Sequence, residues 1–222
     1  MKKKNKGSLY VAICMLAAFV LWTVAIVLID VQSIGPHGSV VGFATLNKAV
    51  HSLTGVHMSL YEITDWLGLV PIACCLGFAI LGLVQWIKRK KLLLVDHTLL
   101  VLGGFYVVVF AVYILFEFLA VNYRPILING YLEASYPSST TMLVMCVMPT
   151  VMMQLSNRIK NRAVRLIVNL LIGTFIAIMV IGRLISGVHW VTDIIGGALL
   201  SAGLVMAYWS VNDLICNTKG RA

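Results

Sequence analysis

Six long apolar runs constrain the fold of this 222-residue chain more than any other feature of its sequence. They cover approximately residues 8–30, 66–87, 98–121, 139–156, 163–185 and 188–210. A helix needs about 20 apolar residues to cross the hydrocarbon core of a bilayer, and most of these runs reach that length. The runs therefore predict an all-α, polytopic membrane protein with six transmembrane helices, organised as one membrane domain over residues 1–222.

The composition excludes a water-soluble enzyme. Hydrophobic residues make up 60% of the chain and charged residues only 11%, whereas an ordinary soluble domain has about 25% charged residues. Six spans with short loops use most of the available length, so no sizeable soluble domain is expected beside them.

The basic residues indicate the orientation of the spans. Lys and Arg number 17 against 8 Asp and Glu, and 14 of the 17 lie in four compact groups between or beside the apolar runs. Short cytoplasmic loops keep such residues and translocated loops lose them, so both termini are expected in the cytoplasm. The grouping also disfavours nucleic acid as a partner. The groups are Lys2, Lys3, Lys4, Lys6; Lys88, Arg89, Lys90, Lys91; Arg158, Lys160, Arg162, Arg165; and Lys219, Arg221.

This orientation leaves three outer loops, at about 31–65, 122–138 and 184–188. In the first loop, Ala44 to His51 has the pattern of a short amphipathic helix lying on the outer face. Small residues on the last span favour close packing against a neighbouring helix. They are Gly196, Gly197, Ala198, Ser201 and Gly203.

Four charged residues lie near or inside the apolar runs without a basic loop to explain them. They are Glu117, Arg124, Arg183 and Asp193. Charges in lipid are costly, so such residues point to a functional site. In the predicted topology the last three, together with His189, lie at the outer face, although they come from distant parts of the sequence.

Two segments at that face favour an anion site. In the first, Pro125 disfavours helix at Arg124, so a guanidinium is held where the third span ends. An arginine that reaches for lipid phosphates is the alternative interpretation. In the second, Pro137 precedes Ser138 and Ser139 at the start of the fourth span. Hydroxyls and backbone amides there suit a phosphate as well as an ordinary helix cap.

The third segment runs from Arg183 to Asp193, with a tight turn predicted at Ser186-Gly187. His189 and Asp193 are four residues apart, so on a helix the carboxylate bonds one imidazole nitrogen and leaves the other as a nucleophile. Arg183 supplies a fork for phosphate oxygens from the end of the preceding helix.

Together these segments resemble the three signatures of the type 2 phosphatidic acid phosphatase superfamily. The order and spacing of Arg183, His189 and Asp193 resemble the third signature, which is the specific one. Arg124 and Ser138, each beside a proline, resemble parts of the first and second signatures.

The resemblance covers about residues 60–210 and implies a helical fold and metal-independent removal of phosphate through a phosphohistidine, with no cofactor. It implies His189 as the nucleophile and Asp193 as its orienting partner. The implied substrates are phosphatidic acid, phosphatidylglycerol phosphate, and isoprenyl phosphates or pyrophosphates, attacked from the outer leaflet of a cell membrane, which we expect to be bacterial. The residues implied to hold the phosphoryl oxygens are Arg124, Ser138, Ser139 and Arg183.

Two positions depart from the family pattern. The first signature begins with a lysine where this chain has Glu117, and the second ends in a histidine where it has Thr140. If the third helix continued, Glu117 would share a face with Arg124 and could pair with it. The missing histidine protonates the leaving oxygen, which threonine cannot do near neutral pH.

The missing acid favours substrates with a good leaving group. General acid catalysis contributes roughly 10² to 10⁴ in rate, and a lipid monophosphate leaves far more readily than a lipid alkoxide. The sequence therefore predicts a preference for isoprenyl or other lipid pyrophosphates over monophosphates. His51 or His57 in the first outer loop is an alternative source of the proton.

Two other functions stay open at this stage. A catalytically impaired family member that binds or transports lipid phosphates is consistent with Glu117 and Thr140. A metal site built from His189, Asp193, Glu117 and Glu133 is disfavoured because the neighbouring arginines would repel a cation.

Overall fold

The computed structural model describes the backbone of residues 2–219 and the side chains of residues 7–215. Within that part the chain forms eight α-helices: α1 (Lys2–Leu28), α2 (Ala44–Thr54), α3 (Met58–Leu67), α4 (Leu69–Arg89), α5 (His97–Phe118), α6 (Ser139–Arg158), α7 (Arg162–Ile185) and α8 (Val191–Lys219). Short 3₁₀ turns lie at Pro36–Gly38 and Leu92–Leu94. The side chains of the predicted terminal basic groups, Lys2, Lys3, Lys4, Lys6, Lys219 and Arg221, fall outside the described residues.

Six segments of the described chain are long and apolar enough to cross a membrane. They are Gly7–Leu28, Met58–Arg89, His97–Phe118, Ser139–Arg158, Arg162–Ile185 and Val191–Ile215. The predicted all-α, six-span architecture is confirmed. The predicted outer-face helix is also present, as α2, which begins at Ala44 and ends at Thr54.

Three element boundaries differ from the sequence prediction. The second segment begins at Met58, not near residue 66, because α3 runs almost directly into α4 through Gly68. Acidic residues within α3 interrupt its apolar pattern, so the sequence predicts a loop for this segment. Helix α5 ends at Phe118, and α8 begins only at Val191.

Helices α6 and α8 form the centre of the protein. Half of the apolar window of each is buried, against 6% for the α3–α4 segment and 11% for α7. A side chain at Gly196 of α8 would collide with the ring of Tyr136, and one at Gly203 with Leu16 of α1. Because glycines occupy these positions, neighbouring elements approach α8 closely.

A cap of loops and short helices covers one end of the bundle of spans. Helix α2 is held by buried Asn47, whose amide donates to the Gly42 carbonyl oxygen at 2.8 Å and to Thr192 Oγ1 at 3.0 Å. The loop between α5 and α6 folds back on itself at Asn129-Gly130, both with positive φ, of 51° and 83°. Asn-Gly is a favoured pair for such a reversal, since glycine adopts this conformation without steric cost.

Candidate active site

The loop between α5 and α6 has two arms, which meet at the Asn129-Gly130 reversal, and Arg124 lies in the first arm. Backbone hydrogen bonds determine which residue of the second arm lies opposite Arg124. Its amide donates to the Glu133 carbonyl oxygen at 3.0 Å, and the Ser135 amide donates to the Asn122 carbonyl oxygen at 2.9 Å. The two arms therefore run antiparallel. Arg124 and Glu133 stand opposite each other, and the side-chain Nε and Oε2 atoms form an ion pair at 3.0 Å.

The same guanidinium contacts His189. Arg124 Nη1 lies 3.3 Å from His189 Nε2 and 3.5 Å from the Val188 carbonyl oxygen. A guanidinium only donates hydrogen bonds, so this contact requires a lone pair on Nε2. The proton of the neutral imidazole is then on Nδ1, which leaves the lone pair on Nε2.

His189 Nδ1 faces Asp193, with 3.6 Å between Nδ1 and Oδ2. Asp193 is fully buried, and its Oδ2 accepts the Trp190 amide at 2.9 Å while its Oδ1 accepts from Asn122 Nδ2 at 3.4 Å. The pair was predicted to lie within one helix, but His189 precedes α8, which begins at Val191. The reason is that Asp193 uses its carboxylate to bond a backbone amide at the start of α8.

Burial controls the charge of His189. The side chain is 1% exposed, and burial, reinforced by the charges of Arg124 and Arg183, lowers its pKa to about 4 against the opposing effect of Asp193. A group with this pKa is neutral near pH 7. A neutral imidazole is the form in which a nitrogen lone pair can attack an electrophile.

Arg183 lies near the end of α7 and is 2% exposed. Its Nη1 donates to the Tyr61 carbonyl oxygen at 3.4 Å and to Thr64 Oγ1 at 3.3 Å, and its Nη2 pairs with Asp65 Oδ1 at 3.3 Å. All three partners lie on α3. The buried Arg183 Nε has no hydrogen-bond partner among the described residues, so one donor of this side chain stays available.

Tyr61 connects the two arginines. The guanidinium carbon of Arg183 lies 4.8 Å from the centre of the Tyr61 ring, and that of Arg124 lies 5.9 Å from it. Aromatic rings attract cations at such distances. Helix α3 thus supplies a ring that holds two like charges beside one histidine.

Hydroxyl groups gather where α6 begins. Ser138 is fully buried and its Oγ has no hydrogen-bond partner among the described residues, while its amide donates to the Asp193 carbonyl oxygen at 3.1 Å. Ser135 Oγ and Thr141 Oγ1 are likewise buried and unpartnered within the described chain. Unsatisfied buried donors are costly, and of these three hydroxyls Ser135 lines the cavity that also contains His189.

A cavity of about 290 Å³ opens among these groups. His189, Arg124 and Ser139 line it, and so do two carboxylates. Ser138, Thr140, Arg183 and Asp193 are not among its lining residues. The full lining is Tyr113, Phe116, Glu117, Arg124, Glu133, Ala134, Ser135, Tyr136, Pro137, Ser139, Met142 and His189.

A second cavity of about 600 Å³ adjoins the first between α4, α5 and α6. The two cavities share Tyr113, Ser139 and Met142. Thr140 lines this second space, whose other walls are mainly apolar. A hydrocarbon chain therefore has a place next to the cavity that holds His189.

The proposed pairing of Glu117 with Arg124 is wrong. It required α5 to continue, but α5 ends at Phe118, and Leu119 leaves the helical conformation. Arg124 pairs instead with Glu133 on the opposite arm of the loop. The Asn129-Gly130 reversal predicts two antiparallel arms, but its own register, with Ile128 opposite Tyr131, would place Arg124 opposite Ser135, so the pairing with Glu133 could not be read from the turn alone.

The two candidate proton donors of the first outer loop lie elsewhere. A ring nitrogen of His51 bonds the Gly187 carbonyl oxygen at 3.0 Å, and one of His57 bonds the Thr54 carbonyl oxygen at 2.9 Å. Neither lines the cavity of His189.

The candidate metal ligands do not form a cluster. In the described part of the chain, no three His, Cys, Asp or Glu side chains are grouped so that they could hold a metal ion. Glu133 pairs with Arg124, and Asp193 accepts from a backbone amide.

Comparisons with known proteins agree with the fold. The family model of the PAP2 superfamily matches residues 97–215. A comparison with curated protein sequences found no match. The chain is similar in structure to a protein described as the first transmembrane PAP2 type phosphatidylglycerolphosphate phosphatase from Bacillus subtilis, with a TM-score of 0.63. The two sequences are 19% identical, and the match covers 93% of this chain and 98% of the other.

Proposed function

This chain belongs to the PAP2 superfamily, and on that premise we propose that it is an integral membrane phosphatase acting on lipid phosphates or pyrophosphates. Members of the superfamily are phosphatases. One observation carries the proposal: His189 presents a neutral Nε2 to the Arg124 guanidinium at 3.3 Å, at the wall of a cavity lined by hydroxyls. Nucleophile and phosphate-binding cation are therefore already in contact.

The mechanism proceeds through a phosphohistidine. His189 Nε2 attacks the phosphorus atom, and the bond from phosphorus to the leaving oxygen breaks. Asp193 stabilises the positive imidazole that forms, because its buried carboxylate faces Nδ1. Water then attacks the phosphorus, the P–N bond breaks, and inorganic phosphate is released.

The phosphoryl oxygens are held by donors from three elements. Arg124 contributes from the loop, Ser138 and Ser139 from the start of α6, and Arg183 through its unpartnered Nε. Such preorganised donors stabilise the charge that develops in the transition state. The chemistry needs no metal ion, since the cationic groups are side chains.

The adjoining apolar cavity supports a lipid substrate, and Thr140 favours a pyrophosphate. Thr140 supplies no acid, so a leaving group that needs little protonation is cleaved faster. We infer that isoprenyl pyrophosphates are preferred over isoprenyl monophosphates. Glu117, at the cavity wall in place of the family's lysine, lies at the periphery of this site.

The site faces the outer leaflet in this proposal. The basic groups at 88–91 and 158–165 lie where α4 and α6 end, at the side of the spans opposite to the cavity. Under the positive-inside rule that end is cytoplasmic, so both termini are cytoplasmic as well.

The test is phosphate release by purified protein from matched farnesyl phosphate and farnesyl pyrophosphate. We expect release from both, faster from the pyrophosphate, and loss of at least about 10³-fold in His189→Ala, as expected for a nucleophile. Equal turnover of the two substrates would refute the preference.

A lipid-phosphate binder without turnover is the alternative, and it predicts a different result. Such a protein releases no phosphate, whether as the natural protein or as His189→Ala, and the His189→Ala variant still binds lipid.

A further inference from the structure

The cavity around His189 has an unusual charge balance for a phosphate site. Among its lining residues the described structure places the Arg124 guanidinium and the carboxylates of Glu117 and Glu133. His189 adds no charge while it is neutral. A phosphate dianion entering this space would face two carboxylates and one cation, which is unfavourable unless a proton enters with it.

The Glu133 carboxylate lies against the Arg124 guanidinium as an ion pair, without a hydrogen bond to Nε. Its Oε2 lies 3.0 Å from Arg124 Nε, while Nη1 of the same guanidinium contacts His189 Nε2. The position of Glu133 is set by backbone pairing, since its carbonyl oxygen accepts the Arg124 amide at 3.0 Å. A carboxylate and a nucleophile are thus held by one guanidinium, on the same cavity.

A buried donor beside this pair has no partner. Ser135 is 3% exposed, lines the cavity, and its Oγ makes no hydrogen bond among the described residues. Ser135 lies two residues after Glu133 on the same arm of the loop. An oxyanion that took the place of the Glu133 carboxylate on Arg124 would therefore find a hydroxyl donor waiting there.

We propose that Glu133 is the general acid of the reaction and that phosphate binding arms it by displacing its carboxylate from Arg124. This inference rests on the proposed phosphatase activity, and it supplies from another residue the acid that Thr140 lacks. The phosphoryl group takes over the guanidinium, and the displaced carboxylate lies beside a dianion. Two like charges so close repel each other, so in this proposal one proton enters the site with the anion and is carried by Glu133.

The proton balance closes over one cycle. As His189 Nε2 forms the P–N bond and the phosphorus–oxygen bond breaks, Glu133 gives its proton to the leaving oxygen and becomes a carboxylate. The carboxylate then accepts a proton from the water that attacks phosphorus. The P–N bond breaks with its electron pair returning to Nε2, and hydrogen phosphate departs from a protonated Glu133.

Other groups of the site fit this role less well. Thr140 has no acidic proton near neutral pH and lines the second cavity. Glu117 lines the first cavity but interacts with Tyr113, one turn earlier on α5, and forms no ion pair with Arg124. Phosphate binding to Arg124 therefore breaks a direct contact of Glu133, whereas it acts on Glu117 only by longer-range electrostatic interaction.

The groups that face Glu133 come from each element around the cavity. Arg124 lies on the opposite arm of its own loop, Glu117 and Tyr113 come from α5, and His189 comes from the connection between α7 and α8. Arg124 is the cation of this set, and Glu117 and the bound phosphate are its anions.

The first test compares leaving groups in Glu133→Gln, which keeps the shape of the side chain and removes the acid. With farnesyl phosphate, whose alkoxide needs a proton, we expect kcat to fall by about 10²-fold or more. With farnesyl pyrophosphate the fall should be less than about tenfold, because the leaving phosphate is stable as an anion. The pyrophosphate preference therefore widens.

Glu117→Gln is the matched control, since it changes the other carboxylate of the cavity. It is expected to change the kcat of both substrates by the same factor. An equal fall for both substrates in Glu133→Gln, or a widened preference in Glu117→Gln instead, overturns the assignment.

The second test needs no turnover. Sulfate, which is fully ionised across neutral pH, is bound to the purified protein in detergent, and its affinity is measured by calorimetry at several pH values. We expect affinity to fall as pH rises, by up to about tenfold per pH unit, because one proton enters with each anion. Glu133→Gln should bind sulfate with an affinity independent of pH over the same range, and Glu117→Gln should keep the dependence.

The outcomes separate this inference from the proposed function. Sulfate affinity that does not change with pH in the natural protein, or that stays pH-dependent in Glu133→Gln, refutes Glu133 as the armed acid. Failure of the protein to release phosphate from either lipid refutes the phosphatase proposal, whereas the sulfate measurement still decides whether anion binding protonates Glu133.

Discussion

The two buried arginines near His189 lie in different surroundings. Each pairs with a partly exposed carboxylate, since the side chain of Glu133 is 43% exposed and that of Asp65 is 60% exposed. Arg124 and its partner line the cavity and belong to one loop. Arg183 bonds Tyr61, Thr64 and Asp65 of α3 and does not line the cavity.

This difference indicates a division of work. Arg124 can exchange one carboxylate for a phosphate without disturbing any helix. Arg183 bonds α3 through its Nη atoms, so in the proposed site only its Nε is available to the ligand. In that proposal, one arginine binds phosphate by exchange, and the other does so while bonding the wall behind His189.

The largest effect is expected when the exchangeable arginine is removed. Arg124→Ala should lower phosphate release from lipid substrates by about 10²- to 10³-fold, because a principal donor to the phosphoryl oxygens is lost. The thermal unfolding midpoint should fall only slightly, since Arg124 bonds its own loop and the connection between α7 and α8 rather than a helix. Steady-state kinetics and calorimetry on the same sample check both statements. A fall in the midpoint as large as that of Arg183→Ala would remove the distinction.

Removal of the anchoring arginine should act on stability as well. Arg183→Ala loses buried hydrogen bonds to α3 and leaves a void, at a cost of about 2 to 3 kcal/mol. The unfolding midpoint should drop by roughly 5 to 10 °C for a chain of this size. Arg183→Lys, which keeps the charge and loses the fork, should fall between. An unchanged midpoint in Arg183→Ala would show that α3 is held by other contacts.

A third prediction concerns His189 and the pH dependence of the stability of the fold. Its folded pKa of about 4 lies below the usual 6.5, so the unfolded chain binds more protons between these values. Stability is therefore full above about pH 6.5 and is lost as pH falls toward 4, by about 2 kcal/mol between pH 7 and pH 5. His189→Gln should abolish that part of the pH dependence of thermal unfolding.

The pKa of His189 also measures how strongly each of the two arginines acts on this histidine. Arg124 lowers the pKa of His189 more than Arg183 does, so Arg124→Ala should raise it further than Arg183→Ala. Imidazole NMR titration of histidine-labelled protein measures the shift. The opposite order would mean that Arg183 is the nearer charge in solution.

The smallest effect concerns the loop that holds Arg124 opposite Glu133. Gly130 has φ of +83°, and a Cβ there would meet nothing within 4 Å, so Gly130→Ala adds conformational strain alone, about 1 kcal/mol. We expect a few-fold loss of kcat/KM with little change in unfolding. Gly103→Ala on α5, also with open space around its Cβ, is the control. Identical kinetics in both variants would show that the turn does not set the register of the site.

Much of the fold and part of the site could be predicted from local sequence. Apolar length determines that these segments are helices and cross a bilayer, since unpaired backbone groups cannot be left in lipid. The spacing of Arg183, His189 and Asp193 was the sequence signal that indicated the family. Helix α3 was missed because Glu62 and Asp65 break its apolar pattern, although Asp65 pairs with Arg183.

The sequence by itself determined that this protein spans a membrane, how many times, and which residue types are available for phosphate chemistry. Only the tertiary structure decided the partners of the arginines: Glu133 for Arg124 and α3 for Arg183. The reason is physical. Hydrophobic length and helix periodicity act between neighbours in sequence, whereas an ion pair depends on where a helix ends and a loop reverses, and those points bring together residues far apart along the chain.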